Sequence, residues 1–221
     1  DSALMKSLDS QIYQNGVHKL PSLADLTGEG SPMRLHRVVE SRAPLRENHA
    51  LTNAKTSHRE VAAVVNCIFH HVKTRPKESL AVIAGTESHA RAIAEGVKRQ
   101  LKEERALADF FKGGFEPFAV APLRRSSGLV RDHVIFSLGL NASGNEYNPS
   151  KGFFASDKAK DLVATALLSG RKNLDVFTSI TPEMVSEMEL NGGLATLFGV
   201  LSAPKLGVSS QRQAPAPLLD D

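Results

Sequence analysis

Three arginines and an aspartate crowd a short glycine-containing turn between two apolar runs. The turn holds Arg124, Arg125, Gly128, Arg131 and Asp132. A guanidinium presents a rigid fork of N–H donors that matches phosphate oxygens, and a glycine lets the backbone approach a ligand closely. The turn therefore suits a phosphate group, while a solvated basic turn without a ligand is the simpler alternative. Asp132 also has a simpler explanation, since it can pair with Arg131 or cap the turn.

The apolar runs beside this turn predict buried strands in a hairpin-like unit. Residues 118–121 and 133–138 are each too short for a typical helix. The runs 80–84 and 174–177 have the same character. Because helical patterns alternate with these four runs, the sequence predicts an α/β fold with a mainly parallel sheet flanked by helices.

Two amphipathic helices are predicted before the turn. Ser57 and Glu60 form a capping box at the start of a helix over 58–74. Thr86 is the predicted N-cap of a second helix that runs to about residue 105. Its N-terminus follows strand 80–84 directly, a place that suits an anion or a nucleotide, and His89 lies in its first turn.

The remaining elements are predicted from shorter patterns. Residues 33–40 could form a first strand, and residues 157–169 a helix closed by Gly170 as its C-cap. Residues 181–183 begin another helix, because the proline occupies its first position. A further short helix is predicted over 190–201.

The turn and its flanking strands also match a longer pattern. It consists of an E-P-F-x-V strand, a loop of the form L-E-R-x-Q-G-x-x-R-D and an apolar strand ending in Ser-x-Gly. The corresponding residues are Glu116, Pro117, Phe118, Val120, Leu123, Arg125, Gly128, Arg131, Asp132, Ser137 and Gly139. This stretch resembles the second RecA-like motor domain of superfamily 1 DNA/RNA helicases of the AAA type.

Two other segments extend the resemblance to about residues 57–203. Residues 79–93 resemble the strand-turn-helix of the adenine-side motif, with His89 at a recurrent His or Gln position. Residues 162–180 resemble the last helicase motif, in which a helix ending in T-R-A-R-R precedes an apolar strand. The resemblance implies a RecA-like fold of the P-loop NTPase superfamily that lacks the P-loop itself.

The sequence departs from the helicase pattern at key positions. The family's Gln before the glycine and Glu two beyond it are replaced by Ser127 and Val130, and the first arginine of the last motif falls on Ser169. Arg171 survives. Because loss of an arginine finger costs roughly three to five powers of ten in phosphoryl transfer, the resemblance implies a motor whose catalytic residues have partly decayed.

The resemblance nevertheless implies roles for particular residues in an ATP-dependent helicase, a hydrolase acting on ATP. His89, Gly128, Arg131 and Asp132 are expected to contact ATP with its Mg²⁺, and Arg171 is the expected catalytic residue. The cofactors would be shared with an N-terminal motor domain of the same parent. The chain has no G-x-x-x-x-G-K-[ST] segment, so this domain alone is not expected to hydrolyse ATP.

Arg124 and Arg125 are the expected contacts to nucleic acid, single-stranded DNA in the first instance. Such contacts are sensitive to salt and blind to sequence. Two alternatives stay open: a catalytically decayed domain kept as a nucleic-acid-binding or scaffold module, and an unrelated small-molecule α/β enzyme. The net charge of +3 does not separate DNA from RNA.

Composition divides the 221 residues into three segments. Residues 1–32 are an expected arm or linker, 33–203 the motor domain, and 204–221 a Pro-rich linker to a further, nuclease-like domain. A start at Asp1 suggests a fragment. Cys67 is expected to be buried, and a metal role for His70 and His71 is not expected, since adjacent helical residues diverge. No run of eighteen apolar residues occurs, and we expect a soluble cytoplasmic chain without membrane contact.

Overall fold

The computed structural model describes residues 2–13, 33–38, 57–140, 153–180, 192–202 and 209–212. Its strands are β1 (Met33–Arg37), β2 (Leu80–Ala84), β3 (Ala119–Pro122), β4 (Arg131–Ser137), β5 (Gly170–Thr178) and β6 (Ser209–Arg212). They pair in the order β3-β2-β4-β5-β1-β6, and every pairing is parallel. The predicted α/β fold with a parallel sheet is thereby confirmed.

Six α-helices accompany the sheet in the described part of the chain. They are α1 (Ser2–Leu8), α2 (His58–Thr74), α3 (Glu87–Glu103), α4 (Ala108–Lys112), α5 (Asp157–Leu167) and α6 (Gly192–Leu201). The bounds of α2 match the prediction. Helix α3 ends about two residues before the predicted limit, and α6 confirms the predicted short helix. The helix start at 181–183 lies outside the described residues.

Alternating side chains of the central strands bury both faces of the sheet. One face carries Val82 and Ile135 against α2 and α3. The other face carries Ile83 and Phe136, which belong to the core that also includes α1, α5 and α6. Burial on both faces explains why these strands are continuous apolar runs in the sequence.

Both predicted helix caps form. Ser57 Oγ accepts a hydrogen bond from the Glu60 amide at 3.0 Å, and Thr86 Oγ1 accepts one from the His89 amide at 3.2 Å. Each cap satisfies one of the N–H groups that the first turn of a helix leaves without a backbone partner. The caps fix where α2 and α3 begin.

The hairpin-like interpretation of residues 115–140 is wrong. Strands β3 and β4 do not pair with each other, because β2 lies between them and pairs with both in parallel. The connection over 123–130 runs from the carboxyl end of β3 to the amino end of β4, that is, from one end of the parallel strands to the other. Leu123, at its start, has 0% exposure and packs in the core. Pro122 is tolerated in β3 because that strand is an edge strand.

The predicted C-cap at Gly170 is also wrong. Helix α5 ends at Leu167, and the amide of its C-cap Leu168 donates to carbonyls of the last turn. Gly170 is instead the first residue of β5, where it pairs with Arg131. A Cβ at this position would lie 2.4 Å from the Asn173 carbonyl oxygen, so the close approach of the backbone explains the glycine.

The sheet and core extend beyond the predicted boundaries of the domain. Strand β6 falls within the segment 204–221 and pairs with β1. Helix α1 falls within the segment 1–32, and its Leu4 and Leu8 belong to the same core cluster as Leu197 of α6. Both segments therefore contribute structure to the domain.

We expect Leu8→Ala to lower the free energy of unfolding by about 2–5 kcal/mol, because Leu8 has 0% exposure and its removal leaves a cavity. Urea unfolding of the 221-residue chain measures this loss. Lys6→Ala, which changes an exposed residue of the same helix, is the control and should shift the midpoint little. An equal, small effect of both substitutions would show that α1 does not pack on the core.

Candidate functional site

Four neighbouring strands bring polar residues to the edge of the sheet at which the strands begin. Ser79 directly precedes β2, Glu116 lies three residues before β3, and Asp132 and Arg171 are the second residues of β4 and β5. Parallel strands all begin at the same edge, so residues far apart in sequence meet there. We call this group the amino-edge cluster.

Arg171 is the hub of the amino-edge cluster. Its Nη1 donates to Glu116 Oε1 at 2.7 Å, and its Nη2 donates to the second oxygen of the same carboxylate. Its Nε donates to Asp132 Oδ1 at 3.2 Å, and Nη2 also reaches Ser79 Oγ at 3.1 Å. The fork geometry matches the bidentate pairing that makes arginine–carboxylate contacts specific.

Ser79 connects the two carboxylates of the amino-edge cluster. Its hydroxyl donates to Glu116 Oε2 at 2.6 Å and accepts a hydrogen bond from the Asp132 amide at 3.0 Å. The Ser79 amide in turn donates to Asp132 Oδ2 at 3.2 Å. Hydrogen bonds from Arg171 and Ser79 lower the pKa of Glu116 to about 2. Burial alone would raise the pKa of Asp132, but the Ser79 amide and Arg171 lower it on balance. Both carboxylates are therefore ionised at neutral pH.

A cavity of about 630 Å³ opens beside these carboxylates. Glu116 and Asp132 line one part of it, and Val72, Phe110 and Phe118 line another. Its volume and its mixture of apolar and charged walls lie in the range of small-molecule sites. Phe115, at the rim, is fully exposed.

Arg131 lies at the same edge, but its guanidinium donates hydrogen bonds to backbone carbonyl groups. Its Nη2 donates to the Pro117 carbonyl at 2.9 Å and its Nη1 to the Val130 carbonyl at 2.8 Å. Gly128 turns the chain before β4 with φ of +77°, a conformation that favours glycine. The structure brings Arg131, Asp132 and Arg171 to one edge of the sheet, and Gly128 lies in the loop that leads to it.

His89 lies at the opposite edge and is fully buried. Its Nε2 is 2.7 Å from Ser137 Oγ, and that hydroxyl donates to Glu60 Oε1 at 2.7 Å. The ring packs so closely on Gly139 that a Cβ there would lie 2.2 Å from it. The five residues of β2, at about 3.3 Å each, separate this edge from the edge that holds Arg171 by roughly 16 Å. A nucleotide contact by His89 therefore stays a prediction that requires the ring to be uncovered.

Arg124 and Arg125 follow β3 at the same edge as His89. The Arg124 guanidinium lies 4.2 Å from the centre of the Phe153 ring, and Arg125 Nη2 donates to Glu87 Oε2 at 2.8 Å. The Arg125–Glu87 pair is largely exposed, so it is weak and leaves the guanidinium able to exchange partners.

Sequence reasoning did not single out Ser79 or the charge on Glu116 as parts of a site. The available signal was positional, since both precede predicted parallel strands whose ends must share an edge. Among the described residues, no group of three or more His, Cys, Asp or Glu side chains could hold a metal ion. No helix in the described ranges has the length and apolar character needed to cross a membrane.

Comparisons with known proteins give a structural likeness alone. Neither a protein-family model nor a curated protein sequence matches the chain. The chain is similar to the crystal structure of the C-terminal domain of a possible DNA helicase from Lactobacillus plantarum WCFS1, with 12% identity over 76% of this chain and 89% of that one. The TM-score is 0.41, so the fold assignment here rests on strand order and burial.

The lowered pKa of Glu116 predicts a dependence of stability on pH. A carboxylate whose pKa is lower in the folded chain stabilises it fully above its unfolded pKa, about 4.3, and loses this effect as the pH falls towards 2. Wild type should therefore lose stability relative to Glu116→Gln between about pH 5 and pH 2. Urea midpoints at several pH values measure the difference.

Glu103→Gln, at the exposed end of α3, controls for the loss of one carboxylate. The change with pH must be larger for Glu116→Gln than for this control. Equal behaviour of the two variants would mean that the Arg171–Glu116 pair does not persist in solution.

Proposed function

We propose that this chain is the second RecA-like motor domain of an ATP-dependent DNA or RNA helicase and meets a first motor domain through its amino edge. The observation that supports this is the meeting of Asp132 and Arg171, 39 residues apart, at one edge of a parallel sheet. The resemblance in sequence assigns both residues to the side that faces the nucleotide.

In this proposal the first motor domain holds ATP and Mg²⁺, and Arg171 reaches the phosphates across the cleft. A guanidinium there would stabilise negative charge that develops during phosphoryl transfer. Within this domain Arg171 is bonded to Glu116 and Asp132. It would have to exchange at least one carboxylate for a phosphate oxygen, so closure of the cleft and activation of the arginine would be one event.

A catalytically decayed domain kept as a binding or scaffold module is the second candidate. Ser169, at the position of the missing arginine, is 2% exposed and donates its hydroxyl to the Thr165 carbonyl at 2.7 Å. Together with the carboxylate bonds of Arg171, this favours a structural use of the former catalytic segment. The two candidates differ in whether the parent chain hydrolyses ATP.

Arg171→Ala in a parent that contains both motor domains tests the first candidate. We expect ATP turnover stimulated by single-stranded DNA to fall by about three to five powers of ten, as for loss of an arginine finger. Lys172→Ala is the control, because Lys172 lies 3.8 Å from Asp132 and carries the same charge. Turnover that is absent in the intact parent, although the parent is folded and binds DNA, would leave the scaffold function.

Substitution of both Arg124 and Arg125 by alanine tests the contact to nucleic acid. We expect weaker binding of single-stranded DNA and a salt dependence of log K reduced by about 1.4, since each phosphate contact contributes about 0.7 on single strands. The same change should appear for oligonucleotides of different sequence. Fluorescence anisotropy at several salt concentrations measures both, with the substitution of an exposed lysine of α3, Lys98→Ala, as the control. An unchanged salt slope would exclude these arginines from the interface.

A further inference from the structure

A line of buried hydrogen bonds crosses the face of the sheet that α2 covers. Asp175 Oδ2 is 2.6 Å from His133 Nε2, and His133 Nδ1 is 2.9 Å from His71 Nδ1. His71 Nε2 is 3.0 Å from the Glu78 carbonyl oxygen. Both histidines have 0% exposure and Asp175 has 2%. We call His71 and His133 the imidazole pair.

The two ends of this line can only accept hydrogen bonds. Asp175 is ionised: burial alone would raise its pKa, but hydrogen bonds from His133 and His36 and the charge of Arg34 hold the pKa well below its usual range. The other end is a backbone carbonyl. Three hydrogen bonds require three protons, whereas two neutral imidazoles carry one N–H each. The imidazole pair therefore needs one additional proton to satisfy all three bonds.

The position of each proton follows from the two ends. His71 Nε2 must donate to the Glu78 carbonyl, and His133 Nε2 must donate to Asp175. The bond between the rings then needs one donor. Burial lowers the pKa of His71 to about 4, so His71 is the neutral ring and its Nδ1 accepts. His133 is left with a proton on each nitrogen, next to the carboxylate that balances its charge.

The charged groups around the imidazole pair are compatible with this assignment. On the Asp175 side, Arg34 Nε and His36 Nε2 each lie 2.8 Å from Oδ1, and the Cys67 thiol lies 3.8 Å from Oδ2. Burial, followed by the Asp175 carboxylate, raises the pKa of Cys67 to about 12, so the thiol adds no second negative charge.

On the His71 side, the charged groups are Arg75 and Glu78. Arg75 Nη2 lies 3.5 Å from His133 Nδ1, a longer contact than the other two that the His133 ring makes, and Arg75 Nη1 faces the Glu78 carboxylate at 3.8 Å. A neutral His133 that accepted from Arg75 would present an unprotonated Nδ1 to the Nδ1 of His71 at 2.9 Å, because His71 keeps its own proton on Nε2 for the Glu78 carbonyl. That contact between two acceptors would be buried and unsatisfied, which costs about 1–3 kcal/mol.

We propose that His133 carries a proton on both ring nitrogens, held between Asp175 and a neutral His71, and that this additional proton tethers α2 and the turn before β2 to the sheet. Loss of this proton leaves one of the three bonds without a donor. The bond that loses its donor is the one between the two rings, so the Glu78 carbonyl stays bound to His71 but is no longer tied to His133 of β4 through it. Glu78 directly precedes Ser79, whose amide donates to Asp132 in the amino-edge cluster.

Proton-detected ¹⁵N spectra of the histidine rings in the 221-residue chain at pH 7 test the assignment directly. We expect both nitrogens of His133 to be protonated, and His71 to carry its proton on Nε2 alone. A His133 protonated only on Nε2 would overturn the proposal, whichever nitrogen of His71 carries its proton. Wild type alone decides this point, so the test does not depend on a folded variant.

Asp175→Asn tests the tether, with His36→Asn as the matched control because His36 contacts the same carboxylate from outside the line. The first variant should leave His133 neutral at pH 7 and increase hydrogen exchange of the Ser79 amide at least tenfold. The Gly139 amide, bonded to Glu60 at the opposite edge, should keep its protection. An imidazolium that persists in Asp175→Asn, or unchanged exchange at Ser79, would contradict the tether.

Discussion

Helix α2 is held against the sheet by buried polar contacts, and the positions of both candidate networks depend on them. Its Glu60, Cys67 and His71, spaced seven and four residues apart, share one helical face. They meet Ser137, Asp175 and His133 of the central strands. Apolar packing alone tolerates small shifts, whereas paired buried polar groups do not, because leaving one such group unpaired costs about 1–3 kcal/mol. The polar contacts therefore fix the register of α2 on β4 and β5.

Local chemistry explains why much of the fold could be predicted from the sequence. Ser57 and Thr86 are caps that act within their own helices, and the apolar run 80–84 must be buried whatever its neighbours are. Local chemistry does not predict strand order, because strand order depends on contacts between side chains that lie far apart in the chain. Strand β1 shows the difficulty. Arg34 and His36 interrupt its apolar pattern because both contact the carboxylate of Asp175, which lies 141 and 139 residues further along the chain.

The residues of the two polar networks leave only weak signals in the sequence, because no residue by itself identifies its partner. Asp175 stands inside an apolar strand pattern, between Leu174 and Val176. A charge inside a buried strand requires a partner, so this position alone predicts an ion pair without naming the other member. His133 begins an apolar run in the same way. Asp175 and His133 can pair because β4 and β5 are neighbours in the sheet, which the sequence does not show.

The two networks meet at two pairs of consecutive residues. Asp132 belongs to the amino-edge cluster and His133 to the imidazole pair, and their side chains project to opposite sides of β4 because side chains alternate along a strand. Glu78, whose backbone carbonyl faces His71, and Ser79 are likewise consecutive residues, directly before β2. A displacement of this turn therefore moves groups in both networks. Glu116 cannot release Arg171 by protonation near neutral pH, because its pKa is about 2. In the proposed motor, release of Arg171 would therefore require a competing anion or a movement of Ser79 and Asp132, and Ser79 directly follows the turn at Glu78.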